Sequence, residues 1–417
     1  MGMRFRLRKW FYDLNTNLLF LPALELLALL GAGVLLPIVE RAGAETSLGT
    51  LSRWLAPEPA SAQLLLATAA GAVMSVVSVV YSILLVALSM LSMQFSTRVL
   101  AGFMRDRLSR VVLGLFVGTF AYCLAVVWAT TSNPPFVPGI AVTGGLGLAL
   151  VSLGALVRFI DHIVRSIQAN VLVDRIATEA EAVLDAVFPP DRVPSVDPGP
   201  VGLDHVIRSD RSGYIQLVDV DSLLAVGVRV RLLRPNGGFV ANGAALLATS
   251  APVDATQLLA CVDIGPERTM QDDAEFGFRQ VVDIALKALS PAVNDPSTAA
   301  TVVDHLGRLL LRVVNRPLGG AAYRQGTAEV WVPQPTFADL LDLAMEQIRQ
   351  YAASDMAVSL RCLRILGEVA EAAADPASRS RTLFHADRIL QAVAGRFEDA
   401  DLDELRRRHA QVASAAR

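Results

Sequence analysis

Four long apolar stretches dominate the hydropathy pattern ahead of Phe159. A helix needs about 20 consecutive, mostly apolar residues to cross the hydrocarbon core of a bilayer. The pattern therefore predicts four transmembrane helices, at Leu18 to Val39, Leu64 to Met93, Val111 to Ala129 and Ile140 to Phe159. Residues 18–159 form the predicted transmembrane domain, and residues 1–17 precede it as an interfacial segment.

Apolar residues keep a helical spacing beyond the fourth stretch, while polar residues fill the opposite face as far as about Val187. We expect one helix of more than 40 residues that continues from the fourth span as a stalk over residues 160–190. The pair Pro189-Pro190 is its natural end, because proline cannot continue a helix.

The pattern changes after residue 190. Residues 191–265 contain short segments of alternating or β-branched residues separated by glycine and asparagine turns, which predict a small β-rich, barrel-like domain. Residues 266–417 show mainly helical periodicity, with β-forming content around Val330 to Val332. The predicted fold class is a membrane α-helical domain followed by a cytosolic α+β region.

Composition and charge agree with a membrane protein. The chain is 53% hydrophobic and only 18% charged, and its net charge of −3 argues against nucleic acid as a partner. Lysine and arginine cluster before the first span and between the second and third, which places both termini in the cytoplasm. Lys9 and Lys287 are the only lysines, a bias that indicates a GC-rich bacterial genome.

The second span carries a regular polar feature. Its serines follow a heptad spacing along one helix face, which we call the serine stripe: Ser75, Ser78, Ser82, Ser89, Ser92 and Ser96. Two interpretations remain open. The stripe is either a surface for close helix packing or the lining of a pore formed by several subunits.

Charged residues near the spans suggest further roles. Glu25 is the ionisable residue that lies well inside a span. Three roles remain open for it: it snorkels to the membrane surface, pairs with an arginine such as Arg98 or Arg158, or carries protons. In the pore interpretation, arginines after the second span surround the inner mouth: Arg98, Arg105, Arg107 and Arg110.

The densest polar signature of the cytosolic region follows Gln271. Its candidate functional residues are Asp283, Lys287, Ser290, Asn294 and Asp295. Asn294 or Asp295 also fits the N-cap of the next helix, with Pro296 in its first turn, and the acidic group at residues 272–275 fits another helix start.

Two segments resemble a known family. They are VDIALKALSPAVNDPSTA, from Val282, and QFSTRVLAGFMRDR, after the second predicted span. Together with the four spans, these motifs resemble the bacterial predicted-membrane-protein family called domain of unknown function 2254. The resemblance covers nearly the whole chain and implies an inner-membrane location, but no activity.

The sequence lacks the common nucleophile, zinc and phosphate-binding motifs, so we expect neither an enzyme nor a bound metal or cofactor. Its three cysteines lie far apart and do not suggest disulfides. We expect a homo-oligomeric channel or pore in the bilayer, with a permeant ion and a cytosolic regulatory or assembly domain. The alternative is a membrane-anchored sensor or scaffold whose cytosolic domain binds a ligand or partner.

Overall fold

A computed structural model describes residues 19–94, 106–130, 136–166, 168–190 and 202–417. The described residues divide into two compact units. We call the part up to residue 168 the membrane unit and the part from Ala169 to Arg417 the C-terminal unit.

The membrane unit contains the four predicted spans as long apolar helices, so this prediction is confirmed. A short helix that was not predicted, α2, follows the first span. The helices are α1 Phe20–Ala42, α2 Ser47–Leu55, α3 Pro59–Gln94, α4 Arg107–Thr130 and α5 Gly139–Ser166.

Glycines allow the first and third spans to approach closely. A Cβ atom on Gly114 of α4 would lie 2.9 Å from the Cα atom of Pro22 and would collide with the Glu25 carboxylate. A Cβ atom on Gly118 would lie 2.5 Å from Leu29 Cδ1. The Gly-x-x-x-Gly spacing thus forms the backbone contact that small residues provide between membrane helices.

The third and fourth spans are joined by polar contacts within an apolar core. The Tyr122 hydroxyl donates to the carbonyl of Ala141 at 2.9 Å, and the hydroxyls of Thr119 and Ser152 lie 3.2 Å apart. Ala62, Leu66 and Ala70 of α3 pack into the same core cluster as Tyr122. The first half of α3 is therefore fixed against α4 and α5.

The predicted stalk is corrected by the structure. In place of one helix, α5 ends at Ser166 and a separate helix, α6, runs over Ala169–Val187. The apolar spacing continues across both helices and gives no local sign of the end at Ser166. Helix α6 belongs to the C-terminal unit and packs there, so it is not a free stalk.

The C-terminal unit contains short strands and helices first and longer helices afterwards. After α6 its elements are β1 His205–Arg208, β2 Gly213–Val218, α7 Val220–Leu224, β3 Arg229–Leu232, β4 Phe239–Val240, β5 Ala245–Thr249, α8 Ala255–Leu259, β6 Val262–Gly265, α9 Ala274–Ala288, α10 Pro296–Val313, β7 Ala321–Gln325, β8 Ala328–Val332, α11 Phe337–Ala352, α12 Met356–Ala372, α13 Pro376–Val393 and α14 Asp399–Ala415.

The described strands form two open sheets, and the expected barrel is not confirmed. One sheet has the order β1-β5-β3-β8-β7 and the other the order β4-β2-β6. Strand β8 pairs in parallel with β3, with Val330 opposite Val230, while the other pairs are antiparallel. Val330 and Val332 also belong to the core cluster of the β-rich part. The strands predicted on either side of residue 265 therefore share one sheet.

Ion pairs attach α6 to the long helix α10 and the residues after it. Arg312 forms a bidentate pair with Asp185, and Arg316 Nη2 lies 2.7 Å from Asp185 Oδ1. One turn earlier, Arg308 contacts Asp174 at 2.8 Å and Glu181 at 3.1 Å. The buried face of α6, with Leu172, Ile176 and Leu184 among its residues, covers the apolar faces of α9 and α10.

The glycine contact between the first and third spans predicts a selective effect of mutation. We expect Gly114→Leu to destabilise the membrane unit by about 1–3 kcal/mol, because the new side chain must displace Pro22 and Glu25. Gly147→Leu is the matched control, since a Cβ atom on Gly147 meets nothing within 4 Å. Thermal unfolding in detergent measures both, and equal melting temperatures for the two variants would contradict the packing.

The α6 attachment predicts a pH-dependent stability difference. Hydrogen bonds from Arg312 and then Arg316, together with their charges, hold the pKa of Asp185 at about 2. Because this is below the ordinary value, the stabilisation is complete above about pH 4 and is lost as the pH falls towards 2. Asp185 is partly exposed, so we expect Asp185→Asn to cost at most about 1 kcal/mol at pH 7.

The measurement is the gap in melting temperature between the wild type and Asp185→Asn at several pH values. The gap should narrow as the solution is acidified. Glu179→Gln, at an exposed position of the same helix, should show no such gap. A gap for Asp185→Asn that stays constant down to pH 2 would show that the ion pair is not its cause.

Candidate functional site

The serine stripe lies on the exposed face of α3. All five stripe residues within the described part, Ser75, Ser78, Ser82, Ser89 and Ser92, are exposed, whereas Ser96 lies outside the described residues. The buried face of the helix is apolar and consists of Ala62, Leu66, Ala70, Val73, Val77, Val80, Ala87 and Leu91. The stripe therefore takes no part in packing within the described chain.

The hydroxyl groups of the stripe bond back to their own helix. Ser75 Oγ donates to the carbonyl of Gly71 at 3.0 Å, and Ser82 Oγ donates to that of Ser78 at 2.9 Å. Ser78 makes a longer contact of the same kind. The donors of these three serines are satisfied, and each of their hydroxyl oxygens keeps lone pairs that can accept a hydrogen bond from outside the helix.

Leu85 interrupts the stripe at its centre. The heptad spacing places this residue on the stripe face between Ser82 and Ser89, and its side chain is 65% exposed. The described stripe is thus a hydroxyl face divided by one apolar position. In the sequence, this interruption is visible as the spacing of seven residues between Ser82 and Ser89.

The arginines of the predicted inner mouth are only partly described. Arg98 and Arg105 lie outside the described residues. Arg107 is exposed, but Arg110 is buried in the membrane unit. Of the two described arginines, only Arg107 is thus placed to face solvent.

Glu25 lies at the contact of the first and third spans. Its Oε2 atom is buried and has no hydrogen-bond partner among the described residues. The proposed partner Arg158 instead contacts Asp161 at 3.3 Å, so the pairing of Glu25 with Arg158 does not form. Arg98, the other proposed partner, lies outside the described residues.

A buried carboxylate that the sequence analysis overlooked holds the start of α5. Glu40, near the end of α1, accepts hydrogen bonds from Ala141 N at 2.7 Å and from Ile140 N at 3.1 Å. The Ser52 hydroxyl of α2 also donates to Glu40 and accepts a bond from Gly139 N at 3.1 Å. This cluster, which we call the Glu40 cap, satisfies amides at a helix start and suits the positive end of its dipole.

A second polar cluster joins the start of α4 to the end of α5, which is the end of α5 opposite the Glu40 cap. Asp106 Oδ2 accepts bonds from the amide of Ser109 at 2.9 Å and from its hydroxyl at 2.8 Å. His162 Nε2 of α5 lies 3.0 Å from the same oxygen. Asp106 therefore caps α4 and links it to α5.

Two of the candidate residues of the C-terminal unit, Asp283 and Ser290, have structural partners. Asp283 is buried in α9 and lies 2.9 Å from Arg279 Nε, while Arg279 Nη1 donates to Gln347 of α11 at 2.6 Å. The Ser290 hydroxyl donates to the carbonyl of Lys287 at 2.7 Å. These contacts end α9 and fix it against α11.

The predicted cap of α10 is confirmed and belongs to Asp295. Thr298 N donates to Asp295 Oδ1 at 3.0 Å, and Pro296 occupies the first turn. The hydroxyl and amide of Thr298 lower the pKa of Asp295. Asn294 is exposed and adopts a φ of 49°, a left-handed conformation in which asparagine is favoured.

The acidic group before α9 also acts as a helix cap. Asp273 Oδ1 accepts from Phe276 N at 3.1 Å, and Arg268 forms a buried bidentate pair with Asp273. Burial raises the pKa of Asp273, although the Arg268 guanidinium opposes this shift. Among the described residues, no group of three or more His, Cys, Asp or Glu side chains is arranged to hold a metal ion.

Comparison with known proteins identifies relatives but no activity. A family model described as a predicted membrane protein, DUF2254, matches residues 15–368. Uncharacterized proteins of Mycobacterium bovis and Mycobacterium tuberculosis are 34% identical over 363 residues, which cover 82% of this chain and 70% of each relative. No solved structure matches. The chain therefore belongs to the predicted membrane protein family of domain of unknown function 2254.

Proposed function

We propose that this protein is a homo-oligomeric ion channel or pore in the bacterial inner membrane, with both termini in the cytoplasm. The observation that carries the proposal is the exposure of the serine stripe on a span whose opposite face is buried. Copies of α3 from several subunits then line the path, and the C-terminal unit regulates or assembles the oligomer. No enzymatic role is part of the proposal.

Packing within one subunit is a poor explanation of the stripe. The positions of α3 that are buried in the chain carry alanine, valine and leucine, and none of the described stripe serines is among them. A small-residue packing surface brings its small residues to the contact, as Gly114 and Gly118 do between α1 and α4. The stripe is therefore available to a neighbouring subunit or to water.

Water can donate hydrogen bonds to the serine oxygens of the stripe, whereas lipid tails cannot. Serine oxygens that already donate to their own helix still accept hydrogen bonds, and lipid tails offer no donor. Their lone pairs also replace part of the hydration shell of a cation. At 1.5 Å per residue, the described stripe from Ser75 to Ser92 covers about 26 Å, most of the hydrocarbon thickness.

Leu85 supplies a gate in this arrangement. A ring of leucine side chains, one from each subunit, narrows the path between two hydroxyl-lined sections. Hydrophobic constrictions stop ion flow by excluding water even where the opening is wide enough for an ion. The proposed pore is thus closed at Leu85, at the centre of the stripe.

Ion flux through reconstituted vesicles tests the stripe. We expect wild-type protein to dissipate imposed gradients of K⁺, Na⁺ or Cl⁻, and Ser82→Leu and Ser89→Leu to reduce that flux. An added barrier of about 1.4 kcal/mol lowers a rate about tenfold, and two leucine rings at former hydroxyl positions should reach this. Val79→Leu, at an exposed position off the stripe, should leave the flux unchanged.

Absence of flux from the wild type under every gradient would contradict the channel and favour the sensor interpretation. Equal loss for Val79→Leu would contradict the assignment of the path to the stripe face.

A second substitution should raise the ion flux instead of lowering it. We expect Leu85→Ser to raise the basal flux, because it removes the apolar ring and makes the hydroxyl face continuous. Met90→Ser is the matched control, since Met90 is exposed about 140° around the same helix. The same vesicle assay measures both variants. A Leu85→Ser flux no higher than wild type would show that Leu85 is not the gate.

A further inference from the structure

In the short helix α2, a serine is buried while two large apolar side chains are exposed. Ser52 is only 3% exposed, and Gly49 is also buried, whereas Trp54 is 82% exposed and Leu51 is 48% exposed. A helix on the surface of a soluble unit buries its large apolar residues and exposes its small polar ones. In α2, Leu51 and Trp54 face outwards instead.

Two polar side chains of α2, those of Ser52 and Arg53, fix its orientation. The Ser52 hydroxyl joins the Glu40 cap at the start of α5. Arg53 turns back to the backbone, where Nη2 donates to Ala44 O and Nε donates to Gly49 O, both at 3.2 Å. These contacts hold the helix in one orientation, with Leu51 and Trp54 directed away from its partners.

The exposed face of α2 continues the apolar belt of the spans. Helix α2 begins within a few residues of the end of α1, where Leu35, Ile38 and Val39 are exposed. Trp128, close to the end of α4 that adjoins the start of α5, is 75% exposed. Tryptophan is enriched where membrane helices meet the headgroup region, because its ring is apolar and its N–H is polar.

We infer that α2 is an interfacial helix that docks Leu51 and Trp54 into the lipid bilayer at the headgroup–acyl boundary. With nine residues it is about 14 Å long, too short to cross the bilayer. Its apolar face therefore lies along the membrane surface, and the Glu40 cap ties this docked helix to the first and fourth spans. Lipid docking needs only the spans and holds whether or not the protein conducts ions.

Depth-dependent fluorescence quenching tests this inference on the full chain in phosphatidylcholine vesicles. In a variant with Trp10, Trp128 and Trp331 replaced by Phe, Trp54 should lose most of its emission to acyl chains brominated near the headgroup. Bromine near the end of the acyl chain should quench it far less. A variant that keeps only Trp331, in the C-terminal unit, should not be quenched by either lipid.

Two outcomes would overturn the assignment. Lack of quenching by either lipid would show that water or another protein surface covers Trp54, and stronger quenching by the deep bromine would place it in the hydrocarbon core.

A second measurement leaves the other tryptophans in place. A nitroxide attached to Trp54→Cys should be accessible to oxygen and less so to a water-soluble nickel chelate, the pattern of a lipid-facing site. The native cysteines are buried, which limits labelling elsewhere. Greater accessibility to the nickel chelate than to oxygen would contradict lipid docking.

Discussion

A hydrogen-bonding group inside a membrane must find its partner in the protein or in water, because lipid tails provide none. The membrane unit meets this constraint in two ways. The Glu40 cap binds the amides that begin α5, and Thr119 faces Ser152 across the third and fourth spans. The serines of α3 instead bond to their own helix and keep acceptor capacity on an exposed face. Their unused capacity is the physical basis of the proposed pore.

Glycine packing explains why that face is exposed. Gly114 and Gly118 let α1 and α4 approach until backbone touches backbone, and Tyr122 then links α4 to α5. The first half of α3 fills the remaining apolar surface through Leu66 and its neighbours. The described residues of the membrane unit thus pack together without using the stripe. In α2, likewise, Ser52 is bonded inside the membrane unit, while Leu51 and Trp54 face outwards.

Features encoded by short-range patterns could be predicted from the sequence. The four spans follow from the length of apolar stretches, and the Asp295 cap follows from the order of residues around Pro296. Contacts between distant positions could not be found in this way. The capping role of Glu40 is one example, because its amide partners lie about 100 residues further along the chain. Strands β3 and β8 are also about 100 residues apart in the sequence. Their pairing joins the predicted β-rich domain to the predicted helical region.

The end of α5 shows a different limit of prediction from the sequence. Apolar positions keep their helical spacing from α5 into α6, so periodicity favoured one helix where the structure has two. The spacing of the serine stripe likewise identified a helix face, but only the packing of α3 could show which face the subunit leaves exposed.

The proposed pore requires that the serine stripe faces water. The reactivity of cysteines placed on the stripe measures this most directly. Ser82→Cys and Ser89→Cys are treated one at a time with a charged, membrane-impermeant thiol reagent that is added to both faces of native membranes, because the Leu85 gate lies between the two positions. The three native cysteines are buried and give little background. If the stripe lines a water-filled path, both stripe positions are modified and Val79→Cys is not. Unreactive cysteines at Ser82 and Ser89 in folded protein, or equal reaction at Val79, would contradict it.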